Sequence, residues 1–309
     1  MFGSDPVSEH QVRTQRSEAN TVINRIRDQF KNLTATRSLP SGKRLQIYSL
    51  SRWLLNGGIH INPAQSVLSF HHHDTMSVPV VNYSYYPPNV VIDGYVANTL
   101  STTQILAIFT STLASVLVPC FLLIRRVRPS IPTSELATAL WFVLCGVIHL
   151  GLEGHYARHQ HHIGASSHVL SQLWKEYALS DSRYLTRDSF VACMEGITAA
   201  FWGPLSFLCA YGVVRGSAWR HPLQSIVSLG QLYGDVLYYA TCTYEFVVYG
   251  QEFSRPEPYY FIGYYVFLNA FWIVIPSVLL LSSGRATTRA FAALEEARQE
   301  ATDRAGKRS

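Results

Sequence analysis

Apolar residues are distributed unevenly along the chain, and the division falls near residue 100. Before it, charged residues, Ser, Asn and Pro interrupt every apolar run, so residues 1–100 are predicted to be largely disordered or irregular. After it come apolar runs of about 20 residues, the length with which an α-helix crosses roughly 30 Å of hydrocarbon. The runs are Gln104–Ile124, Ser134–Tyr156, Ser189–Val214, Leu223–Thr243 and Tyr260–Ser282. This pattern predicts an all-α integral membrane protein, with a five-helix bundle over residues 101–283 and a charged tail over residues 284–309.

Composition agrees with one membrane domain and argues against a nucleic-acid-binding, disulfide-rich or metal-binding protein. Of the 309 residues, 48% are hydrophobic and only 15% are charged. The formal net charge is +5, but the basic residues flank the apolar runs and form no single patch, so nucleic acid is not an expected partner. The five cysteines all fall in apolar stretches without a CxxC pair, and the adjacent histidines 71–73 cannot share one helix face. The sequence therefore predicts neither a disulfide framework nor a metal site.

The distribution of Lys and Arg predicts the orientation in the membrane. Eleven of these residues lie in the tail and in the segments that join the first run to the second and the third to the fourth, whereas the other two segments between runs hold five. Because basic residues are retained on the cytoplasmic side, the tail is predicted to be cytoplasmic. The sequon Asn82-Tyr83-Ser84 would then be lumenal, consistent with the endoplasmic reticulum.

Polar side chains recur at helical spacing within four of the apolar runs. The pairs are His149 with Glu153, Glu195 with Thr198, Gln231 with Asp235, and Asn269 with Trp272. Residues three or four positions apart share a helix face, and ionisable groups inside a bilayer normally face a bundle interior. Purely structural pairing is one interpretation. A functional polar centre is favoured because three carboxyl groups and a histidine are spread over three helices.

A buried pair of acids indicates proton-transfer chemistry. A glutamic acid away from water keeps its proton at neutral pH and can deliver it, while a second group collects a proton elsewhere on the same substrate. We expect Glu153 to be the protonated acid, with His149 setting its proton state. The chain contains no GxSxG elbow, P-loop, HExxH or Rossmann glycine pattern. These observations predict an acid/base enzyme that needs no cofactor and acts on a lipid-soluble substrate.

Five runs of residues, in order, closely resemble the emopamil-binding protein family of Δ8–Δ7 sterol isomerases, which have an EXPERA-type membrane domain. The runs are HLGLEG, SQLWKEYALSDSRYL, CMEGITAAFWGPLSF, HPLQSIVSLGQLYGDVLYY and LNAFWIVIP. The resemblance covers about residues 85–283. It implies a five-helix bundle that encloses a sterol-sized cavity open to lipid.

The resemblance also implies roles for individual residues. His149, Glu153 and Glu195 match the family's catalytic residues, which protonate one carbon of a tetrasubstituted olefin and remove a proton beside the resulting cation. Its substrate-contacting residues match positions on two helices and a loop. These positions are Thr198, Asn269, Trp272, Tyr177, Asp181, Arg183 and Tyr184. Gln231 is a further substrate-binding candidate, which rests on the polar pairs described above and not on the resemblance. The expected partners are a sterol or terpenoid and membrane lipid, and a homodimer remains open.

The chain also departs from the family near the expected pocket, at His155, Gly196, Ile262-Gly263 and Leu268, and each departure reduces aromatic bulk or changes polarity. A wider pocket keeps open a second hypothesis, a terpenoid cyclase of secondary metabolism that protonates an olefin or opens an epoxide. A non-catalytic sterol-binding protein is the third. At about 100° per residue, Ile262 falls within roughly 20° of the face of Asn269. We therefore expect Ile262 to line the cavity and Gly263 to permit a close helix contact.

Overall fold

A computed structural model describes residues 84–307, and every regular element in that range is helical. The long helices are α1 (Thr102–Val127), α2 (Thr133–His159), α3 (Val169–Tyr177), α4 (Ser189–Arg215), α5 (Arg220–Tyr249) and α6 (Tyr259–Gly306). A short 3₁₀ turn, Ser182–Tyr184, lies between α3 and α4. The adjacent histidines 71–73, the sequon residue Asn82 and most of the predicted irregular region 1–100 lie outside the described residues.

Four helices in the described range are long and apolar enough to cross a membrane, namely α1, α2, α4 and α6. They contain four of the five predicted apolar runs. The remaining run, Leu223–Thr243, lies within α5, which has 30 residues. Its buried polar residues include Gln224, Gln231 and Asp235, and they lower its hydropathy below that of the other four helices.

Three of these helices change from α to π geometry over part of their length. The π segments are Ile148–Glu153 in α2, Thr198–Trp202 in α4 and Tyr259–Leu268 in α6. Each residue in a π segment bonds to the fifth along the chain, so the segment turns less per residue than an α-helix. The first two π segments lie against each other, and they contain Glu153 and Thr198.

Two glycines allow the helices that surround these π segments to approach closely. A Cβ atom on Gly203 of α4 would lie 2.7 Å from Cγ of Leu150 in α2. On Gly230 of α5 it would lie 2.4 Å from Cζ2 of Trp202 in α4. Neither distance is compatible with a larger residue unless the neighbouring side chain moves. Helices α2, α4 and α5 are therefore packed together at the level of the polar residues.

The segment from residue 84 to 100 has no regular helix, and it is fixed to α3. The ammonium group of buried Lys175 donates to the carbonyl oxygens of Val96 at 2.7 Å and Ser166 at 2.9 Å, and burial lowers its pKa. The side-chain oxygen of Gln172 accepts from the backbone N–H groups of Thr99 and Leu100 at 2.8 and 2.9 Å. Helix α3, which the hydropathy pattern did not predict, is thereby held beside the bundle.

The outer faces of the bundle are apolar. Leu122 and Leu123 on α1 and Leu281 on α6 are about 60% exposed, as expected of side chains that contact lipid. Helix α6 continues without a break past Ser283, which is buried, to Gly306, and the residues beyond Gly284 are mostly exposed. The predicted tail thus begins as the continuation of a membrane helix.

Candidate active site

His149 connects two helices through both of its ring nitrogens. Its Nδ1 lies 2.9 and 2.8 Å from the two carboxyl oxygens of Glu153, one turn along α2. Its Nε2 lies 3.0 Å from Nε2 of Gln231 on α5. The amide nitrogen of Gln231 can only donate, so Nε2 of His149 is the acceptor of this hydrogen bond. The ring proton of His149 is then on Nδ1, from which it is donated in a hydrogen bond to Glu153. The predicted contact of His149 with Glu153 is thus present, and Gln231 on α5 fixes the tautomer.

Glu195 of α4 is the second acid of the site. It is 4% exposed, and Glu153 and His149 are among its closest charged neighbours. The hydroxyl of Tyr184 donates to Glu195 Oε1 at 2.6 Å. Burial, followed by the negative charge of Glu195, raises the pKa of Tyr184 well above its usual value, so this phenol remains a donor. Glu195 thus accepts from a phenol, in a helix that packs against the π segment in which His149 and Glu153 lie.

Tyr184 is held in position by a group of aromatic rings. It stacks on Trp174 at 4.6 Å between ring centroids, and it contacts Tyr156 and Tyr177 edge-on at 5.2 and 5.3 Å. The indole N–H of Trp174 donates to the carbonyl of Leu152 at 2.9 Å, in the π segment of α2. The ring group therefore joins α3 and the 3₁₀ turn to the helix that carries Glu153.

Asn269 of α6 is joined to Tyr177 of α3. Its amide nitrogen donates to the Tyr177 hydroxyl at 2.8 Å and to the backbone oxygen of Tyr265 at 2.8 Å. One turn away, Trp272 lies with its ring centroid 6.4 Å from that of His149 and 5.6 Å from that of Trp141. The predicted site residues on α6 thus reach α2 and α3, with the indole of Trp272 beside the histidine.

Thr198 begins the π segment of α4, one turn from Glu195. Its hydroxyl donates to the backbone carbonyl of Met194 at 2.8 Å, so its proton is already in use within its own helix. Its oxygen can still accept a hydrogen bond.

Asp181 and Arg183, which were expected to contact substrate, form a closed ion pair. Both are almost fully buried, at 0% and 1% exposure. The guanidinium donates to both carboxylate oxygens of Asp181 at 2.6 to 3.0 Å and to the hydroxyl of Thr241 at 2.9 Å. It also lies 4.8 Å above the ring of Tyr238. This arrangement fixes the 3₁₀ turn, which contains Tyr184, to α5.

Ile262 lies apart from these residues. Its side chain is 57% exposed, and a Cβ atom on Gly263 would meet no atom within 4 Å. The expected helix contact at Gly263 is not present, and the exposure of Ile262 disfavours its expected cavity-lining role without testing it. The angular estimate for both residues is in error, because they lie in the π segment Tyr259–Leu268, within which the assumed 100° per residue does not apply.

The hydropathy pattern missed Trp174, Tyr156 and Tyr238 as members of the site. Tyr238 lies seven residues after Gln231, so it shares the polar face of α5, and its spacing was an available signal. Trp174 belongs to α3, which has no transmembrane pattern. Two surface clefts lie along α1 from Ala107 to Ser115 and near Leu281 of α6, and neither contains a predicted site residue.

Comparison with known proteins identifies the family of the chain. The model of the EXPERA family (EXPanded EBP superfamily) matches residues 169–283. A mouse 3-beta-hydroxysteroid-Delta(8),Delta(7)-isomerase is 41% identical over 223 residues, which cover 72% of this chain and 94% of the mouse protein. A guinea-pig (Cavia porcellus) protein of the same name is 38% identical over 65% of this chain and 87% of its own length. An isomeliandiol synthase from Ailanthus altissima is 36% identical over 47% of this chain and 67% of its own length. The chain belongs to the emopamil-binding protein family and is an enzyme of the sterol-isomerase kind.

Proposed function

We propose that the enzyme moves a carbon–carbon double bond within a sterol from Δ8 to Δ7, by proton transfer without a cofactor. The observation that carries the proposal is that Glu195 lies in a helix packed against the segment of α2 that contains the His149–Glu153 pair. Relatives named as Delta(8),Delta(7)-isomerases match most of the chain, which supports the choice of substrate.

In the proposed reaction, Glu195 is the acid. One of its oxygens accepts from Tyr184, and the other is free to hold a proton. This proton forms a new C–H bond with the electron pair of the olefin, and the partner carbon becomes a cation. The sequence alone favoured Glu153 for this role. The hydrogen bond from His149 Nδ1 instead favours Glu153 as the carboxylate.

Glu153 is the base. It removes a proton from the carbon next to the cation, and the electrons of that C–H bond form the new double bond. Since Glu195 lies beside Glu153, the proton can return to Glu195 and restore both groups. The indole of Trp272, beside His149, offers a π face that stabilises a nearby cation. Thr198, Asn269, Tyr177 and Gln231 are proposed to shape and orient the site.

For the membrane domain, we propose that α5 is a fifth span and that residues 101–283 form the bundle around the sterol. The 30 residues of α5 extend about 45 Å at 1.5 Å per residue. Its polar face is covered by its neighbours, as Gln231 on His149 illustrates, so its low hydropathy need not expose polar groups to lipid. A lipid-accessible cavity next to Glu153 and Glu195 is part of this proposal.

The decisive experiment is expression of the chain in a host that lacks sterol isomerase, followed by sterol profiling. The proposal expects Δ8 sterols to disappear and Δ7 sterols to appear. A Glu195→Gln variant, present at the same level in the membrane fraction, should leave the Δ8 sterols unchanged. If the wild-type chain leaves Δ8 sterols unchanged although it is folded, the proposal is wrong.

A terpenoid substrate is the second candidate. It is favoured by relatives named isomeliandiol synthase and protoglabretal synthase, which are 36% and 34% identical to this chain over shorter stretches. The same acid and base would then protonate an olefin or open an epoxide of a prenylated metabolite. Feeding membranes with both substrate classes separates the two candidates, because only the true class should give a product that depends on Glu195.

We also propose that the C-terminus is cytoplasmic and that the enzyme resides in the endoplasmic reticulum. The proposal rests on the excess of Lys and Arg in the tail and in two of the segments between the apolar runs. Protease treatment of intact microsomes should remove a tag placed after Ser309. Protection of the tag would reverse the orientation.

A further inference from the structure

A third acid, Asp235 of α5, lies close to the site and has no partner. Its side chain is buried, with only 9% of the residue exposed, and its Oδ2 atom has no hydrogen-bond partner. No hydrogen bond or ion pair to Asp235 occurs within residues 84–307. A buried carboxyl group without a partner is costly, so such groups normally meet a ligand or another polar group. The mechanism above makes no use of it.

The position of Asp235 relative to the acids is fixed by its helix. It lies one turn beyond Gln231, which contacts His149, and thus about 6 Å further along α5 at 1.5 Å per residue. The two side chains share one face of the helix. A group bound by Asp235 would therefore lie a few carbon–carbon bonds away from an atom held against Glu153 and Glu195.

The hydroxyl groups around Asp235 already have other partners. Tyr177 and Tyr239 are its electrostatic neighbours. The Tyr177 hydroxyl is hydrogen-bonded to Asn269, and the Tyr239 hydroxyl donates to the backbone oxygens of Tyr265 and Val266 at 3.1 and 2.8 Å. Neither of these two hydroxyl groups therefore supplies the donor that the carboxyl group of Asp235 lacks.

We propose that Asp235 binds a hydroxyl group of the substrate and so determines which ring atoms reach Glu153 and Glu195. A hydroxyl group can donate to a carboxylate and accept from a carboxylic acid, so it satisfies Asp235 in either protonation state. This inference rests on the proposed function and extends it: the preferred substrate is a hydroxylated lipid whose hydroxyl lies about one ring system from the reacting olefin. The relatives named above are described as acting on 3-beta-hydroxysteroids, which fits this chemistry.

Other buried polar atoms of the described residues also lack a hydrogen-bond partner, among them Gln231 Oε1, the Tyr156 hydroxyl and the indole nitrogen Nε1 of Trp141. Trp141 is compared with Asp235 because its N–H group could also bind a substrate hydroxyl. Trp141 lies eight residues before His149 in α2, about 12 Å along the helix, which is twice the spacing of Asp235 from Gln231. Asp235 is favoured because it lies only one turn from Gln231, which contacts His149. In addition, a buried carboxyl group without a hydrogen-bond partner costs more free energy than a buried indole N–H without one. Trp141→Phe, which removes this N–H group, is the matched comparison.

Binding is the first test, because it does not depend on turnover. The purified protein in detergent would be titrated with a 3-hydroxysterol and with the otherwise identical 3-deoxysterol, and binding would be followed by the thermal shift. The wild type should bind the hydroxysterol about tenfold more tightly. Asp235→Leu should reduce this preference to less than twofold, whereas Trp141→Phe should retain it. Thr243→Val, on the same helix with its hydroxyl bonded to the Tyr239 carbonyl, should also retain it.

Two results would overturn the inference. One is a wild type that binds both sterols equally, and the other is a preference that survives in folded Asp235→Leu. If the leucine variant does not fold, Asp235→Asn decides the matter: its preference should fall to about threefold, and an unchanged tenfold preference would contradict the inference. Sterol turnover is measured separately. A wild type that shows the binding preference but forms no Δ7 product would disprove the proposed reaction and leave the role of Asp235 intact.

Discussion

Asp181 and Glu195 both lie next to the 3₁₀ turn Ser182–Tyr184, but their carboxyl groups have different kinds of partner. Asp181 is saturated: its two oxygens receive the guanidinium of Arg183, and the pair is closed off by Thr241 and by the ring of Tyr238. Glu195 has one oxygen bound by Tyr184 and faces a second carboxyl group, Glu153. The first group is neutralised by a permanent cation, whereas the second has only donors that are neutral in the proposed tautomer.

The difference shows what distinguishes a structural acid from an acid that can transfer a proton. An arginine cannot give up its proton, so a carboxylate paired with it stays ionised and fixed. A carboxyl group that contacts imidazole, phenol and another carboxyl group can gain and lose a proton with little rearrangement. Burial alone does not separate the two, because Asp181 and Glu195 are both almost fully buried.

The largest effect is expected for Glu195→Gln. Glutamine keeps the size of the side chain and can still hydrogen-bond to Tyr184, but it cannot deliver a proton, so turnover should fall about 10³-fold or more. Sterol conversion by purified protein measures it. The matched control is Glu176→Gln on α3, a buried glutamate that accepts from Thr102 at 3.1 Å and lies outside the acid pair. If the turnover of the Glu195→Gln variant is within about threefold of the wild-type turnover, Glu195 is not the acid that delivers the proton.

Asp181→Asn should instead reduce stability. It leaves the guanidinium of Arg183 buried without its counter-charge, and breaking such pairs costs about 3–5 kcal/mol. Thermal unfolding in detergent measures the loss, and turnover per folded molecule should change little. The double variant Asp181→Asn/Arg183→Met should recover part of the stability, because no unpaired charge remains. A variant that is as stable as wild type but inactive would show that the two groups are not distinct.

Gln231→Met should have an intermediate effect on the chemistry. Without the amide, the tautomer of His149 is no longer fixed, and kcat should fall about tenfold, as expected when one hydrogen bond of about 1.4 kcal/mol is lost from the transition state. Gln224→Met on the same helix is the control, since Gln224 donates to the backbone oxygen of Leu279 at 3.1 Å. The control should lose stability but keep kcat. Equal losses of kcat in both variants would refute a special role for Gln231.

The smallest effect is expected for Ile262→Trp. Because Ile262 is 57% exposed and away from the acids, a larger side chain there should change the turnover of a flat sterol and of a bulkier prenylated substrate by less than twofold. Parallel assays with both substrates measure it. A marked shift in preference between the two substrates would show that Ile262 does line the cavity.

Much of the site could be predicted because it lies within single helices. The contact of His149 with Glu153 follows from a spacing of four residues, and the spans of α1, α2, α4 and α6 follow from hydropathy. The contact of Gln231 with His149 joins residues 82 positions apart. Helical spacing showed that each faces an interior, but it could not show that the two faces meet. Helix α3 escaped prediction because its nine residues are too few for a membrane span, although its apolar residues recur at helical spacing.

The error at Ile262 has the same origin as a feature of the whole bundle. Each π segment, such as Ile148–Glu153, shifts the angular phase of every residue that follows it. In a helix with such a shift, the sequence positions that face outward before the π segment do not continue at α-helical spacing after it. Deleting a single residue between His149 and Glu153 would remove the extra residue that the π segment accommodates and would change the spacing of these two side chains from four residues to three. The register of α2, and not only its side chains, therefore keeps the acid on the inner side of the membrane helix, and a one-residue deletion there should be more harmful than most substitutions.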